Sequence, residues 1–466
     1  MKICVINGSP KGQDSVTMQY VRFLREAFSG HTFTIENVGQ EIGRIGTKED
    51  AWMRLTREIA ASDAILWATP VYFMLVPSQL KHFIELVFAR NAKDSFSGKY
   101  AASLTTSVHF FDHTAHAYLH AVSEDLGMHW AGLFSAKMDD LLSVQHQENL
   151  VGFCSDFLDT ASRRPPVQRW YLPVAGNNFI YRPGVAPEAF ETRGKHVVIL
   201  TDGAPGSNLE RMVTRAAACF GKAATVLSLS EAGMKGGCLG CCRCAFDNTC
   251  VYTDGFSSFW KETVRKADIL ILAGTVRDRY LSAAWKQCFD RSFFMGHTPN
   301  FPGKQVGILI EGPFSQLATL REVLTAYVPM QGANLSGIVT DEDENDPAAI
   351  DARIDALADR CIRLAESGYV APMTFPAVAG HKIFRDEIWS ELRVVFKADH
   401  RYYKKHGFYD FPQKQYGRRV KTTLLSCLLD LPPIRKDVVR TMKQHMIKPF
   451  ETVFTTSPVL KRMKGR

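Results

Sequence analysis

The chain repeats itself at the scale of a whole domain. Ser62-Asp-Ala-Ile-Leu-Trp-Ala68 aligns with Ala267-Asp-Ile-Leu-Ile-Leu-Ala273, and the offset of 205 residues continues without a gap. It matches Lys81 to Lys286, Glu85 to Asp290, Phe96 to Phe301, and Gly98-Lys99 to Gly303-Lys304. Around the first apolar segments of each copy, near residues 2–7 and 196–201, the offset is 193 or 194, so about a dozen residues have been gained inside the second copy. A repeat this long is one folding unit used twice, and a length of 466 residues accommodates two such units with further segments. The boundaries read as residues 1–164, a Pro- and Gly-bearing linker at 165–194, a second unit at 195–372, and a tail at 373–466.

Each unit alternates short apolar runs with amphipathic stretches. Residues 2–7, 32–38, 64–68 and 100–106 read as strands buried on both faces, and residues 48–61, 78–90 and 145–163 as helices. Strand–helix alternation of this kind predicts an α/β fold: two tandem flavodoxin-like doubly wound parallel sheets, followed by a basic helical C-terminal tail. Ligands in such sheets bind outside the carboxyl ends of the strands, and three loops of the first unit stand there. The first, residues 8–17, follows a strand and opens a helix, with Ser9, Ser15 and Thr17 as hydroxyl donors and Lys11 as a cation. That geometry suits a phosphate monoester and lacks the spacing of a P-loop or a dinucleotide fingerprint. In the second, Pro70 ends a strand and Val71, Tyr72 and Phe73 are placed to lie along a flat ring. The third begins at Ser107 and contains His109, a candidate proton donor beside a flavin. A phosphate site, a planar apolar wall and this fold together point to FMN.

The second copy departs from the first at these positions. Asp202 stands where the first copy has its phosphate loop, and a like charge there repels a phosphate by about 1 kcal/mol even in water. Arg277 and Arg279 replace the apolar ring cover and are expected either to receive an anionic substrate or to form ion pairs within the chain. The gained residues contain five of the eleven cysteines. Cys238, Cys241, Cys244 and Cys250 form C-x2-C-x2-C-x5-C, a compact run suited to a [4Fe–4S] cluster; zinc sites more often use two separated pairs. A thiol loop without metal is the remaining reading, and Cys242 has no role in the cluster scheme.

No run of about 18 apolar residues occurs, so no membrane span is expected. With no signal-peptide pattern at Met1 and an odd cysteine count, a cytoplasmic protein is expected. The formal charge of +8 is concentrated in residues 382–466, where 20 Lys and Arg face 8 Asp and Glu. Such a charge suits docking of an acidic partner, a nucleic acid or an anionic lipid, but packing of this tail on its own body is the first expectation, and no nucleic acid partner is expected. Residues 384–403 read as one amphipathic helix.

The loop Gly8, Ser9, Pro10 with Ser15 and Thr17, the run Pro70 to Tyr72 with Gln79 to Lys81, and the cysteine run followed by Asp254 resemble the NADPH-dependent FMN reductase superfamily. Its iron–sulfur flavoproteins are the nearest in pattern. The resemblance spans roughly residues 1–367 and implies FMN on the first two loops, a [4Fe–4S] cluster on the cysteines and NAD(P)H as donor. Relatives usually carry both motifs in one domain and form oligomers. Here the motifs fall in different copies, which suggests an internal pseudo-dimer, or a homo-oligomer of such chains. The expected activity is NAD(P)H-linked flavin oxidoreduction toward a small-molecule electron acceptor or a redox protein. An FMN-only reductase with structural cysteines, and a non-enzymatic electron carrier for an acidic partner, stand beside it.

Overall fold

The computed structural model describes residues 1–176, 179–342 and 346–464. It divides into two compact units, Met1–Tyr403 and Lys404–Arg466. The first contains two parallel sheets. Strands β1 (Lys2–Asn7), β2 (Thr32–Glu36), β3 (Ala64–Pro70), β4 (Tyr100–Ser107) and β5 (His129–Lys137) lie in the order β2-β1-β3-β4-β5. Strands β6 (Val197–Thr201), β7 (Ala224–Ser228), β8 (Ile269–Arg277), β9 (Tyr280–Leu281), β10 (Gln305–Glu311) and β11 (Asn334–Thr340) follow. Five of them lie in the order β7-β6-β8-β10-β11, with the short β9 antiparallel to β8. Both orders are the flavodoxin-like doubly wound one, in which the chain reverses direction beside the first strand of the unit and leaves a crevice there.

The central strands are apolar on both faces because helices cover both. In the first sheet, Val16–Ala27 and Val144–Arg163 bury Met18, Leu24, Leu150 and Phe157 on one face. On the other, Ser78–Ala89 and Asp112–Asp125 join a core that continues without interruption into the second sheet through Phe83, Leu272, Phe289 and Tyr327. The helices Ser78–Ala89 and Ala283–Ser292, equivalent at the 205-residue offset, pack on each other. Backbone geometry repeats as well as sequence. The left-handed residues Phe73 and Met74 recur as Asp278 and Arg279, and the left-handed Gly127 recurs as Gly332.

Several expectations need correction. The chain from 384 to 403 is not one helix: it forms Phe375–Trp389, a short 3-10 turn and Lys397–Lys405, with the break at Ser390, whose ψ of −105° is not helical. Residues up to Tyr403 belong to the first compact unit, beyond the tail boundary drawn at 373. Strands β5 and β7 are less apolar than their neighbours and carry exposed positions, because both sit at sheet edges. The segment 165–194 has no helix or strand among its described residues, yet Tyr181 in it is fully buried and donates its hydroxyl to Asp351.

The second unit consists of the helices Tyr416–Leu429, Pro432–Thr456 and Pro458–Lys464. The first two pack on each other.

Candidate functional site

At the carboxyl edge of the first sheet the polypeptide builds a cradle. After β1 the chain turns so that the Ser9 amide bonds Asn7 Oδ1 at 3.0 Å and the Lys11 amide bonds Ser9 Oγ at 3.3 Å. Ser15 caps the helix Val16–Ala27, its Oγ accepting from the Met18 amide at 3.3 Å. Thr17 Oγ1 lies 2.6 Å from Thr106 Oγ1, which ties this loop to the end of β4. Ser9, Ser15 and Thr17 are buried, whereas Lys11 is exposed and forms no ion pair among the described residues. A helix N-terminus, buried hydroxyls and an uncommitted cation make a site for an anion.

The second loop is held tightly. The Val71 amide donates to the Thr106 carbonyl at 3.2 Å, and Tyr72 and Leu75 exchange backbone bonds at 2.8 and 3.1 Å. Phe73 and Met74 take positive φ of 42° and 66°, unfavourable for such side chains and sustained here by packing. Phe73 stacks on Phe289 with centroids 5.6 Å apart and meets the edge of Tyr327 at 5.2 Å.

These loops enclose one cavity of about 380 Å³. Ser9, Lys11, Ser15, Thr17, Pro70, Val71, Tyr72, Phe73 and Ser107 all line it. Sequence reasoning did not foresee the rest of the wall. Cys238, Gly240 and Cys242 enter from the second sheet's cysteine loop, and Phe384, Phe396 and Tyr403 from the segment after it. Gly240 has φ of +62°, and a Cβ on it would stand 1.8 Å from Tyr72 Oη. A Cβ on Gly237 would stand 2.4 Å from Ser78 Oγ. Gln79 Nε2 donates to the Cys238 carbonyl at 3.0 Å. The cysteine loop therefore lies directly against the first unit.

His297 also lines the cavity. Its Nδ1 lies 2.7 Å from Asp399 Oδ2, its ring packs among Phe293, Phe384 and Phe396, and Tyr403 donates its hydroxyl to the His297 carbonyl at 2.8 Å. The His297 and Asp399 side chains are almost wholly buried. No local motif marks this pair. Its only sequence signal is a lone histidine five residues beyond Ala283–Ser292, the helix matching Ser78–Ala89. His109 instead stands outside the cavity, half exposed, with Nδ1 2.9 Å from Asp112 Oδ2.

The histidines of the helix Asp112–Asp125 are divided among separate partners. His113 meets Glu322 at 2.8 Å and His120 meets Glu124 at 3.0 Å. His116 is buried between Ser103 Oγ and Thr105 Oγ1, at 2.6 and 2.9 Å, and burial lowers its pKa to about 4. It is a neutral core residue.

Beside the large cavity is a second of about 50 Å³, lined by Cys238, Cys241, Cys242, Cys244 and Cys250 with Arg291. Arg291 anchors the loop: it donates to the Gly236 carbonyl at 3.0 Å and to both oxygens of Asp254 at 2.8 Å, and lies over the Tyr252 ring. The paired guanidinium lowers the Asp254 pKa to about 2. Burial pushes the Cys238 and Cys244 thiols up to about 12, so both are protonated at neutral pH. Among the described residues no three His, Cys, Asp or Glu side chains converge as a metal-ligand set. The thiols share a cavity but not a focus.

In the second sheet, the place of the phosphate loop is filled by the protein itself. Asp202 accepts from the Thr275 amide at 2.9 Å and from the Ser282 hydroxyl, and burial raises its pKa. Arg279 is buried, pairs with Asp125 and donates to the Leu172 carbonyl at 2.6 Å. Of the two expected roles, it takes the intrachain ion pair.

Residues 1–133 match the model of the NADPH-dependent FMN reductase family. Among solved structures the chain is similar to the flavoenzyme NAD(P)H:(acceptor) oxidoreductase of Paracoccus denitrificans, with 21% identity over 35% of this chain and 97% of that one and a TM-score of 0.28. It is also similar to an FMN-dependent NADH-azoreductase from Bacillus anthracis, solved in complex with FMN. There the identity is 16% over 35% of this chain and 99% of that one, and the TM-score is 0.27. No curated protein sequence matches.

Proposed function

We propose that the chain is an NAD(P)H-dependent FMN oxidoreductase whose flavin site is the 380 Å³ cavity. One observation carries the reading: a cavity with buried hydroxyls, a helix N-terminus and a lysine at one end and aromatic walls elsewhere, its phosphate end and residues 70–73 supplied by the segment that matches the FMN reductase family. Ser9, Lys11, Ser15 and Thr17 would hold the phosphate, and residues 70–73 would line the ring. FMN, when bound, accepts a hydride from a nicotinamide and passes electrons to an acceptor. The remaining tasks belong to the chain. Phe384, Phe396 and Tyr403 exclude water. Tyr72, pressed by Gly240, fixes the width of the cavity. His297, with Nδ1 committed to Asp399, presents Nε2 as the ring atom left to hand a proton to a reduced acceptor, in place of the exposed His109. The acceptor is a small molecule such as a quinone, or a redox protein.

A second reading adds a [4Fe–4S] cluster on Cys238, Cys241, Cys244 and Cys250. It is favoured by the shared cavity of five thiols adjoining the flavin site through Cys238, Gly240 and Cys242. The two sheets would then act as an internal pseudo-dimer with one redox centre on each.

Anaerobic purification with flavin and iron counts per chain, followed by NAD(P)H oxidation in the presence of a quinone, tests both. One FMN per chain with turnover supports the oxidoreductase, and iron lost on replacing Cys241 and Cys244 by Ala adds the cluster. Bound flavin without turnover leaves a carrier, and absence of flavin refutes the reading.

A further inference from the structure

The helices Tyr416–Leu429 and Pro432–Thr456 bury nothing large. No described residue from 416 to 464 is buried, although the segment is rich in apolar side chains. In the first helix Tyr416, Val420, Leu424 and Leu428 recur every four residues, with Leu425 beside them, and Leu424 is 63% exposed. In the second, Met442, Met446, Phe450 and Phe454 recur every four residues, with Ile434 eight residues before Met442, and Phe454 is 71% exposed. Each four-residue step advances a side chain by only about 40° around the helix, so such residues form a slowly winding apolar stripe. An apolar face of this extent in water signals a missing partner.

The charge of the segment selects the partner. From 404 to 466 the sequence holds 15 Lys and Arg against 4 Asp and Glu, a net charge of +11. Two copies of such a segment repel each other, which disfavours self-association through this face. A nucleic acid would satisfy the cations and leave the apolar face in water. The longer helix, 25 residues or about 37 Å at the usual helical rise, presents its apolar stripe along its whole length. Among the described residues no helix is long and apolar enough to cross a bilayer. Apolar side chains on one face and an excess of Lys and Arg around them fit a helix lying in the plane of a membrane interface, its rings and aliphatic chains among the acyl chains and its cations among anionic headgroups.

We propose that the segment 416–464 is an interfacial membrane anchor for anionic lipid surfaces. The proposal does not depend on the flavin reading. It is tested by co-sedimenting the full-length protein with vesicles of phosphatidylcholine alone and of phosphatidylcholine mixed with phosphatidylglycerol, at low and high salt. Two variants accompany it: Leu424→Asp with Leu428→Asp, and Arg418→Glu with Arg419→Glu. All four side chains are exposed, so neither variant disturbs a core. The expected result is binding to the anionic vesicles at least tenfold tighter than to the neutral ones, weakened by salt and lost in both variants. Failure to bind anionic vesicles overturns the proposal, as does binding that both variants retain. It is equally overturned if the same substitutions abolish a soluble dimer, or capture of an acidic protein or a nucleic acid, while vesicle binding is absent.

Discussion

The backbone amide of Ser78 donates to Asp290 Oδ2 at 2.7 Å across 212 residues of chain. Its counterpart at the 205-residue offset is the amide of Ala283, which donates to Glu85 Oε1, also at 2.7 Å. Each of two equivalent helices is thus capped by a carboxylate from the other, as in a two-fold dimer whose subunits have been joined. Lysines complete the exchange. Lys81 lies 2.7 Å from Glu85, while Lys286 pairs with Asp290 and donates to the Tyr72 carbonyl at 2.8 Å.

The two caps are not energetically equal. Asp290 and Lys286 are completely buried, whereas Glu85 is partly exposed. Asp290→Ala leaves Lys286 as an unpaired buried charge and is expected to cost about 3–5 kcal/mol; Glu85→Ala should cost less, because Glu85 is partly exposed and Asp278 remains 4.0 Å from the buried Lys81. Adding Lys286→Met to Asp290→Ala should recover part of the loss. Equal destabilisation of the two single variants in urea unfolding would contradict this.

Gly240→Ala should empty the cavity while leaving the fold intact. The new methyl meets Tyr72 Oη at 1.8 Å at a residue with φ of +62°, so the tyrosine must swing inward or the cysteine loop must lift. Flavin affinity is expected to fall at least tenfold, as read by fluorescence titration of the apoprotein, with circular dichroism unchanged.

Asp278 makes stability depend on pH. Burial raises its carboxyl to about 6, only partly offset by Lys81, whose Nζ lies 4.0 Å away. A folded pKa above the unfolded one means that the folded protein holds the proton more tightly. Stability is therefore full below the usual carboxyl range and falls as pH rises through about 6. Asp278→Asn removes the penalty and suits the left-handed backbone, whose φ is 44°. It should be nearly neutral at pH 4 and stabilising by about 2 kcal/mol at pH 8. Urea midpoints at the two pH values decide the matter.

Asp399→Asn keeps the size of the group that holds His297 and removes its charge. If His297 supplies the proton, turnover should fall by about tenfold as the ring loses the carboxylate that orients it. KM for the nicotinamide should not move. Unchanged turnover with a lower melting temperature would make the pair purely structural.

The flavodoxin-like order of both sheets and the three loops of the first unit were legible from local pattern, because strand-turn-helix signals act over a few residues. Apolar runs name the strands, Pro70 ends one of them, and small hydroxyl residues open a helix. The 205-residue offset even anticipates the paired helices, since matched residues of a repeat occupy matched places. The second helix of the pattern was harder to bound: residues 384–403 have helical periodicity throughout, and periodicity is blind to the break at Ser390.

The sequence by itself determined that there are two doubly wound sheets, and it singled out nine residues that meet in one cavity. Only the tertiary structure decided what closes that cavity. Cys238 and Gly240 reach it because Arg291 and Asp254 fix the cysteine loop and Gln79 of the first unit binds the Cys238 carbonyl, and His297 turns toward it with Asp399 behind. The local pattern of one strand or helix does not specify such contacts, which join positions from 37 to 159 residues apart. They follow from the fit of two copies of one fold across a shared core, where burial decides which carboxylate meets which amide.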